Sequence, residues 1–377
     1  MSKEQKTKSK AQIIGVVLLI VGLVVGIGVG YLVAPSVSSQ EPTTPVVAPQ
    51  EPDEKAMMTE KIHAPVPDSA RGPAIDQSKG YLVQELGEPG SGIYWLTEGI
   101  YHVMFLTTGE GVIVVDAPPS IGQKLLDGIK EVTNEPITHV IYSHTHADHI
   151  AAASMFPSDV IIIAHEATLA QLKLVNANDP DRKPVPWGTF VGGSPIPLPT
   201  QTFSDEMTLT VGSQTLELSY KGPAHEPGNI YIYAPEHKVL MFIDVIFPGW
   251  SPFLDLAIAE DATAFIRAHD QVLEFDFEVL VSGHIERLGT RQDVEIQREY
   301  FQDIQANSIT ALQSVDFMAV AGEIGFENIW LLFDTYLDRV TAKCTELTEE
   351  KWKDKLGAAD VFTESHCFKI IESLRVD

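Results

Sequence analysis

Six consecutive positions, His144-Thr145-His146-Ala147-Asp148-His149, carry three imidazoles and a carboxylate. Neutral imidazole and carboxylate are the donors that zinc, iron and manganese accept, and a bound metal is what makes crowding them favourable. The apolar run 138–142 leads into this stretch, so a strand ends where the histidines begin. Alternation along an extended chain sends His144 and His146 to one side of the loop, leaving Asp148 and His149 to face a neighbouring position. One loop can therefore feed two metals. Without further ligands, the same stretch would read as a polar loop that happens to contain histidines.

Further ligand types do follow, each behind a strand-like run. His225 and Asn229 lie in Gly222-Pro223-Ala224-His225-Glu226-Pro227-Gly228-Asn229, Asp244 closes the run 239–243, and His284 follows the run 279–282 and Gly283. This ordered set resembles the signature of the metallo-β-lactamase superfamily. The resemblance implies an α/β fold, a four-layer α-β-β-α sandwich. It assigns His144, His146 and His225 to a first metal, Asp148, His149 and His284 to a second, and Asp244 to a bridge between them. The implied cofactors are two divalent ions, zinc first, with iron or manganese also compatible. The implied chemistry is attack by a hydroxide held between the ions on an ester, lactone, lactam or related bond of a small molecule, with Asp148 also acting as the acid-base residue.

Asp116, closing the run 111–115, matches the family's strand-end acid that supports the metal loop, and reads equally as a turn acid before Ala117-Pro118-Pro119. Asn229 stands where some relatives place a polar group beside the substrate; otherwise it fixes a turn. Trp187 and Trp250 are either an apolar wall beside the metals or core anchors. Asp at 244, where one lactamase subclass has Cys, brings the site closer to glyoxalase II and lactonases. Ala151-Ala152-Ala153, where glyoxalase II favours glycines, argues against thioester specificity. Two other readings use the same residues: a sulfur dioxygenase with one iron, and a metal-binding module without catalysis.

The elements that must position these groups are legible as periodicity. Strand-like runs at 92–96, 101–107 and 111–116 precede a helical pattern over 121–132 and the strand ending at Tyr142. A strand at 160–164, a helix at 166–174 and an irregular loop over 176–200 with Arg182, Lys183 and Trp187 follow. The second half repeats the theme with strands at 207–211, 215–220, 230–233, 239–244 and 277–282 and a helix at 261–273. These make one domain over 81–290. Residues 291–377 read as a helical extension, with runs near 293–314, 328–342, 349–356 and 367–374. It could pack on the sandwich, cover the site or mediate a homo-dimer, and its Cys344 and Cys367 are either a disulfide or two buried thiols.

Composition bounds the partners. Lys and Arg total 26 against 52 Asp and Glu, a net charge of -26, which argues against a nucleic-acid partner. Residues 1–10 are basic, and 11–34 form an uncharged apolar stretch long enough to span a bilayer. With no Lys or Arg between Lys10 and Lys55, the N-terminus is expected in the cytoplasm and the catalytic domain outside. A cleaved signal peptide followed by secretion is the alternative. Residues 35–80, rich in Pro, Ser, Thr, Glu and Ala, read as a disordered linker.

Overall fold

The structure, a computed structural model, describes residues 63–176, 186–193 and 195–377. The expected basic segment 1–10, the apolar span 11–34, Arg182 and Lys183 lie outside the described residues. Among those described, no helix is long and apolar enough to cross a membrane.

Two sheets form the centre. The first has seven strands in sequence order: β1 (Leu82–Glu85), β2 (Ile93–Thr97), β3 (His102–Thr107), β4 (Val112–Val115), β5 (Ile137–Ile141), β6 (Ile161–His165) and β7 (Gln201–Phe203). The second contains β8 (Glu206–Val211), β9 (Gln214–Ser219), β10 (Tyr231–Ala234), β11 (Val239–Met241) and β12 (Val279–Val281), in the order β12-β11-β10-β9-β8. Period-two alternation separates their faces. Ile93, Trp95, Met104, Leu106, Ile113 and Val115 point inward against Leu216, Leu218, Ile232, Met241 and Val281. The residues between them, such as Leu96, Val103, Phe105 and Val114, point outward and pack on Leu125 and Ile129 of α1 (Gln123–Val132) and on Leu172 of α3 (Glu166–Asn176). The outer face of the second sheet, with Tyr231, Leu240 and Phe242, is covered by Phe265 of α4 (Ala262–Val272) and by the C-terminal helices. The layers are helix, sheet, sheet, helix.

In each sheet a parallel pair carries the chemistry. Strands β4 and β5 are parallel, as are β11 and β12, so their carboxyl ends emerge at the same edge. Asp116, the His144–His149 segment, Asp244 and His284 all follow those ends. The segment begins a single turn, α2 (Ala147–Ile150), and His225 lies on the connection from β9 to β10.

The C-terminal helices are α5 (Arg291–Ser314), α6 (Phe317–Ile324), α7 (Ile329–Trp352) and α8 (Ala359–Val376). Phe301, Ile304, Val340 and Ile371 share one core with Tyr231 and Phe242 of the second sheet. Two runs expected near 328–342 and 349–356 are one helix, α7, because no Gly or Pro interrupts 343–348. Strands β1 and β7 and helix α6 had no clear sequence signal. The strands are only four and three residues long, and α6 depends on a local cap, Asp316 Oδ1 accepting from Met318 N at 2.8 Å. A disulfide between Cys344 and Cys367 ties α7 to α8.

The expected linker 35–80 needs a correction at its C-terminal end. Residues 63–72 form a strap along the domain: Ala70 is buried, its carbonyl accepts from Trp250 Nε1 at 3.2 Å, and Ser69 O accepts from Arg287 Nε at 2.6 Å. Arg71 pairs with Glu286 at 2.9 Å, and Asp360 accepts from Ala64 N at 2.9 Å. The close fit depends on Gly249, where a Cβ would fall 2.6 Å from Ala70 Cα. Polar composition concealed this because the strap binds through backbone and charge rather than an apolar stripe.

Two outcomes follow. A chain beginning at Gly80 should be less stable than one beginning at Lys61, by about 2–4 kcal/mol if each lost hydrogen bond counts roughly 1 kcal/mol; equal denaturant midpoints would show that the strap contributes nothing. Reduction of Cys344–Cys367 should lower stability by about 2–4 kcal/mol while leaving bound metal unchanged, because neither sulfur belongs to the ligand set. Urea titration beside elemental analysis checks both parts.

Candidate metal centre

The seven ligands expected from the sequence converge as two groups. His144, His146, His225 and Asp244 form one, and Asp148, His149 and His284 the other; within each group the donor atoms lie within 4.8 Å of one another. Asp244 joins them. Its Oδ2 lies 3.3 Å from His144 Nε2, 3.1 Å from His149 Nε2 and 3.5 Å from His225 Nε2, and its Oδ1 lies 3.0 Å from His284 Nε2. His225 Nε2 approaches His146 Nδ1 at 2.8 Å, and His149 Nε2 approaches His284 Nε2 at 3.0 Å.

Local backbone conformation sets this convergence. Asp116 and Asp244 turn the chain off their strands at φ 67° and 64°, the left-handed region that Asp tolerates better than most residues. Buried Asp116 accepts from Ser143 N at 2.8 Å and from Ser143 Oγ at 2.6 Å, and Ser143 Oγ lies 2.9 Å from His144 Nδ1. Since the serine gives its hydrogen to Asp116, it accepts from Nδ1–H of His144. Nε2 of His144 then faces Asp244; burial would lower the imidazole, but the hydrogen bond and charge of Asp244 raise it. Asp116 thus holds Ser143, and through it the ring of His144, by hydrogen bonds. His284 stands between Gly283 at φ 92° and Ile285 at φ 75°, the latter an uncommon conformation for a β-branched residue. The ring of His102 holds Ile285 O, and burial pushes His102 down to about 3, so the ring is neutral and Nε2–H is the donor.

Two further contacts at the site lie outside the set expected from the sequence. Glu226, buried, accepts from Thr145 N through Oε1 and places Oε2 3.4 Å from His146 Nε2. It therefore orients a ligand, as outer carboxylates commonly do; its only sequence signal was its position after His225. Tyr101 donates from its hydroxyl to Asp148 Oδ2 at 3.1 Å, and its ring centroid lies 4.5 Å from that of His284. As the first residue of the strand-like run 101–107, it carries no sign of this in the sequence. Asn229, expected beside the substrate or in a turn, is fully buried and donates from Nδ2 to Ile243 O at 3.1 Å. It secures the residue before Asp244 instead of lining the cavity.

Electrostatics tests whether these residues suit a metal. Burial presses His149 toward neutrality, yet the carboxylates of Asp244 and Asp148 carry it up to about 10. Burial would raise Asp244, but His149 and His284 hold it well below the ordinary carboxylate range. Burial keeps His225 well below the ordinary imidazole range. Without another cation, the cluster must hold a proton on buried His149 and, through the hydrogen bond and charge of Asp244, draws one toward buried His144 as well. A divalent ion in each group relieves both conditions, and the N and O donors suit zinc, iron or manganese. The residues fit the group.

Above the ligands lies a cavity of about 610 Å³. His146, Asp148, His225, Asp244 and His284 reach it from one side, with Tyr101 among them. Trp187, Phe247, Trp250, Phe253, Ile258 and Phe362 supply apolar wall. Trp250 is anchored as well, since its ring covers Gly357, where a Cβ would come within 2.5 Å.

Comparison with known proteins agrees with this geometry. Residues 96–284 match the family model for the metallo-beta-lactamase superfamily. The chain is 28% identical over 233 residues to 2,4-dinitroanisole O-demethylase subunit alpha of Nocardioides sp. (strain JS1661), covering 60% of this chain and 65% of that one. It is 26% identical over 220 residues to the linear primary-alkylsulfatase of Pseudomonas sp. (strain ATCC 19151), covering 49% and 42%. Less than two thirds of either relative is therefore spanned. The solved structure of the stereoselective inverting sec-alkylsulfatase Pisa1 from Pseudomonas sp. superposes with a TM-score of 0.51 at 16% identity, covering 77% of this chain and 50% of that one, a likeness of fold. With its fold, its ordered ligand segments and the match over half its length, the chain belongs to the metallo-beta-lactamase superfamily.

Proposed function

We propose that this protein is a two-metal hydrolase of a small-molecule ester, lactone, lactam or related bond, with Asp148 as its acid-base residue. The observation that carries the reading is the meeting of two complete donor groups at Asp244 beneath an apolar cavity. Divalent ions held by those groups, zinc first, would polarise the scissile group and make water acidic enough to attack near neutral pH. The protein's own part centres on Asp148. Its carboxylate faces the cavity, and although burial raises its pKa, His149 helps hold it below the ordinary value, so it is ionised and able to accept a proton. Tyr101 fixes that carboxylate by donating to Oδ2, leaving Oδ1 for the proton that attacking water releases and the leaving group needs. The apolar walls displace bulk water and strengthen these charge interactions.

A one-iron sulfur dioxygenase would leave the second group, Asp148, His149 and His284, without a purpose. A non-catalytic module would not require an acid-base residue facing a cavity of ligand size.

About two ions should bind per chain, and Asp244→Ala should reduce both metal content and turnover. Asp148→Asn should lower kcat by about 100- to 10,000-fold. Elemental analysis beside kinetics with a chromogenic substrate tests the reading, and full activity with one ion, or an Asp244→Ala variant as active as wild type, would sink it.

We further propose that the 11–34 span anchors the protein with this domain outside the cytoplasm. The uncharged run and the charge asymmetry support this, as does the Cys344–Cys367 disulfide, which suits an oxidising compartment. Protease added to intact cells should remove the domain; digestion only after lysis would reject the topology.

A further inference from the structure

The wall of the metal cavity is built jointly by the sandwich and the C-terminal helices. Ala358 and Phe362, at the start of α8, line it together with Phe253, Ala257 and Ile258. The latter three belong to an unusual piece of backbone. Asp255, Leu256 and Ala257 have φ/ψ of 54°/44°, 61°/49° and 55°/38°, a left-handed turn made without glycine. Helix α8 holds it in place. Ser365 Oγ accepts from Asp255 N at 3.0 Å, His366 Nε2 lies 3.0 Å from Phe253 O, and the Phe253 and Phe362 rings meet edge to face at 5.2 Å. Burial pushes His366 down to about 4, so this neutral ring donates from Nε2 to Phe253 O and accepts at Nδ1 from Tyr300 OH, 3.0 Å away. Strain maintained by neighbouring structure at the edge of a site is a sign of selected geometry.

The chemistry of the wall is one-sided. Among the described residues that line the cavity there is no Lys or Arg; the charged side chains are the carboxylates and imidazoles of the metal groups. The whole chain adds a net charge of -26. An anionic group on the non-reacting part of a substrate would lose water against aromatic and aliphatic carbon with no cationic partner among those described residues, on a chain of strongly negative net charge. An uncharged aromatic or medium-chain aliphatic body would lose only unfavourable contact with water.

We propose that the wall formed by the left-handed turn and the start of α8 selects substrates with an uncharged, apolar body and rejects those whose body ends in an anion. Phe253, Ile258 and Phe362 are the specificity-determining residues. The proposal rests on the hydrolase reading for turnover, while its binding preference can be measured separately.

A matched pair of esters provides the test: 4-nitrophenyl hexanoate and the mono-4-nitrophenyl ester of adipic acid share a leaving group and chain length and differ in the terminal carboxylate. With metal-loaded, full-length protein, kcat/KM should favour the neutral ester by at least about 100-fold. The same ratio should shrink at least tenfold in Phe362→Lys and in the more exposed Phe253→Lys, either of which places a cation on the wall. Calorimetric binding of N-phenylhexanamide and its terminal-carboxylate analogue, measured before and after metal removal by chelator, reads the preference without turnover. A tenfold or greater advantage for the neutral amide in both states is expected. If that advantage holds but neither ester is cleaved, the cavity assignment stands and the hydrolase reading of esters fails. Equal binding of the amides, or a preference for the anionic ester in wild type, overturns the proposal.

Discussion

Four imidazole nitrogens lie within 3.5 Å of the carboxylate of Asp244, buried where water cannot share the cost. Burial alone would favour a neutral acid and neutral rings, and a neutral cluster would have little reason to converge. The carboxylate remains ionised because positive charge is drawn to it, by a proton on His149 or by metal ions. Most of the local architecture serves this one charge. Asp116 and Ser143 set the hydrogen on the outer nitrogen of His144, Glu226 faces the outer nitrogen of His146, and Asn229 pins the backbone just before Asp244.

The fold meets this requirement by using strand ends. A parallel pair in each sheet delivers its strand ends to a common edge, Asp116 and the His144–His149 segment from one and Asp244 and His284 from the other, which a purely antiparallel arrangement would alternate between opposite edges. Left-handed backbone at Asp116, Asp244 and Gly283 then turns the side chains inward. The helical extension contributes no ligand, yet it reaches the same edge indirectly. Gln297 on α5 accepts from Phe247 N at 2.8 Å and donates to Val245 O at 2.6 Å, immediately after Asp244. Helix α8 holds the turn that completes the cavity, and the strap at 63–72 supports Trp250. Removing the extension would therefore alter the site without touching a donor atom.

The ligands were legible because metal chemistry restricts both residue type and order: H-x-H-x-D-H behind an apolar run has few other uses. The two sheets were legible through period-two alternation, and the principal helices through their apolar spacing. Tyr101 and Glu226 were not, because their roles depend on contacts with Asp148 and His146 that no local pattern encodes. The same holds for the wall, where Phe253 meets His366 across 113 positions of sequence. The strap failed to announce itself because it docks by backbone carbonyls and ion pairs. Asn229 shows the converse: its place in the motif was correctly noticed, but only packing shows that its amide faces Ile243 rather than the cavity.

The central claim is that Asp244 is shared by two metal ions. Anomalous diffraction from crystals of the metal-loaded protein, recorded on either side of the absorption edge of the bound element, measures this directly. The account predicts two peaks, one among His144, His146 and His225 and one among Asp148, His149 and His284, with the Asp244 carboxylate contacting both. A single fully occupied peak, or two peaks with Asp244 turned away from either, would contradict it.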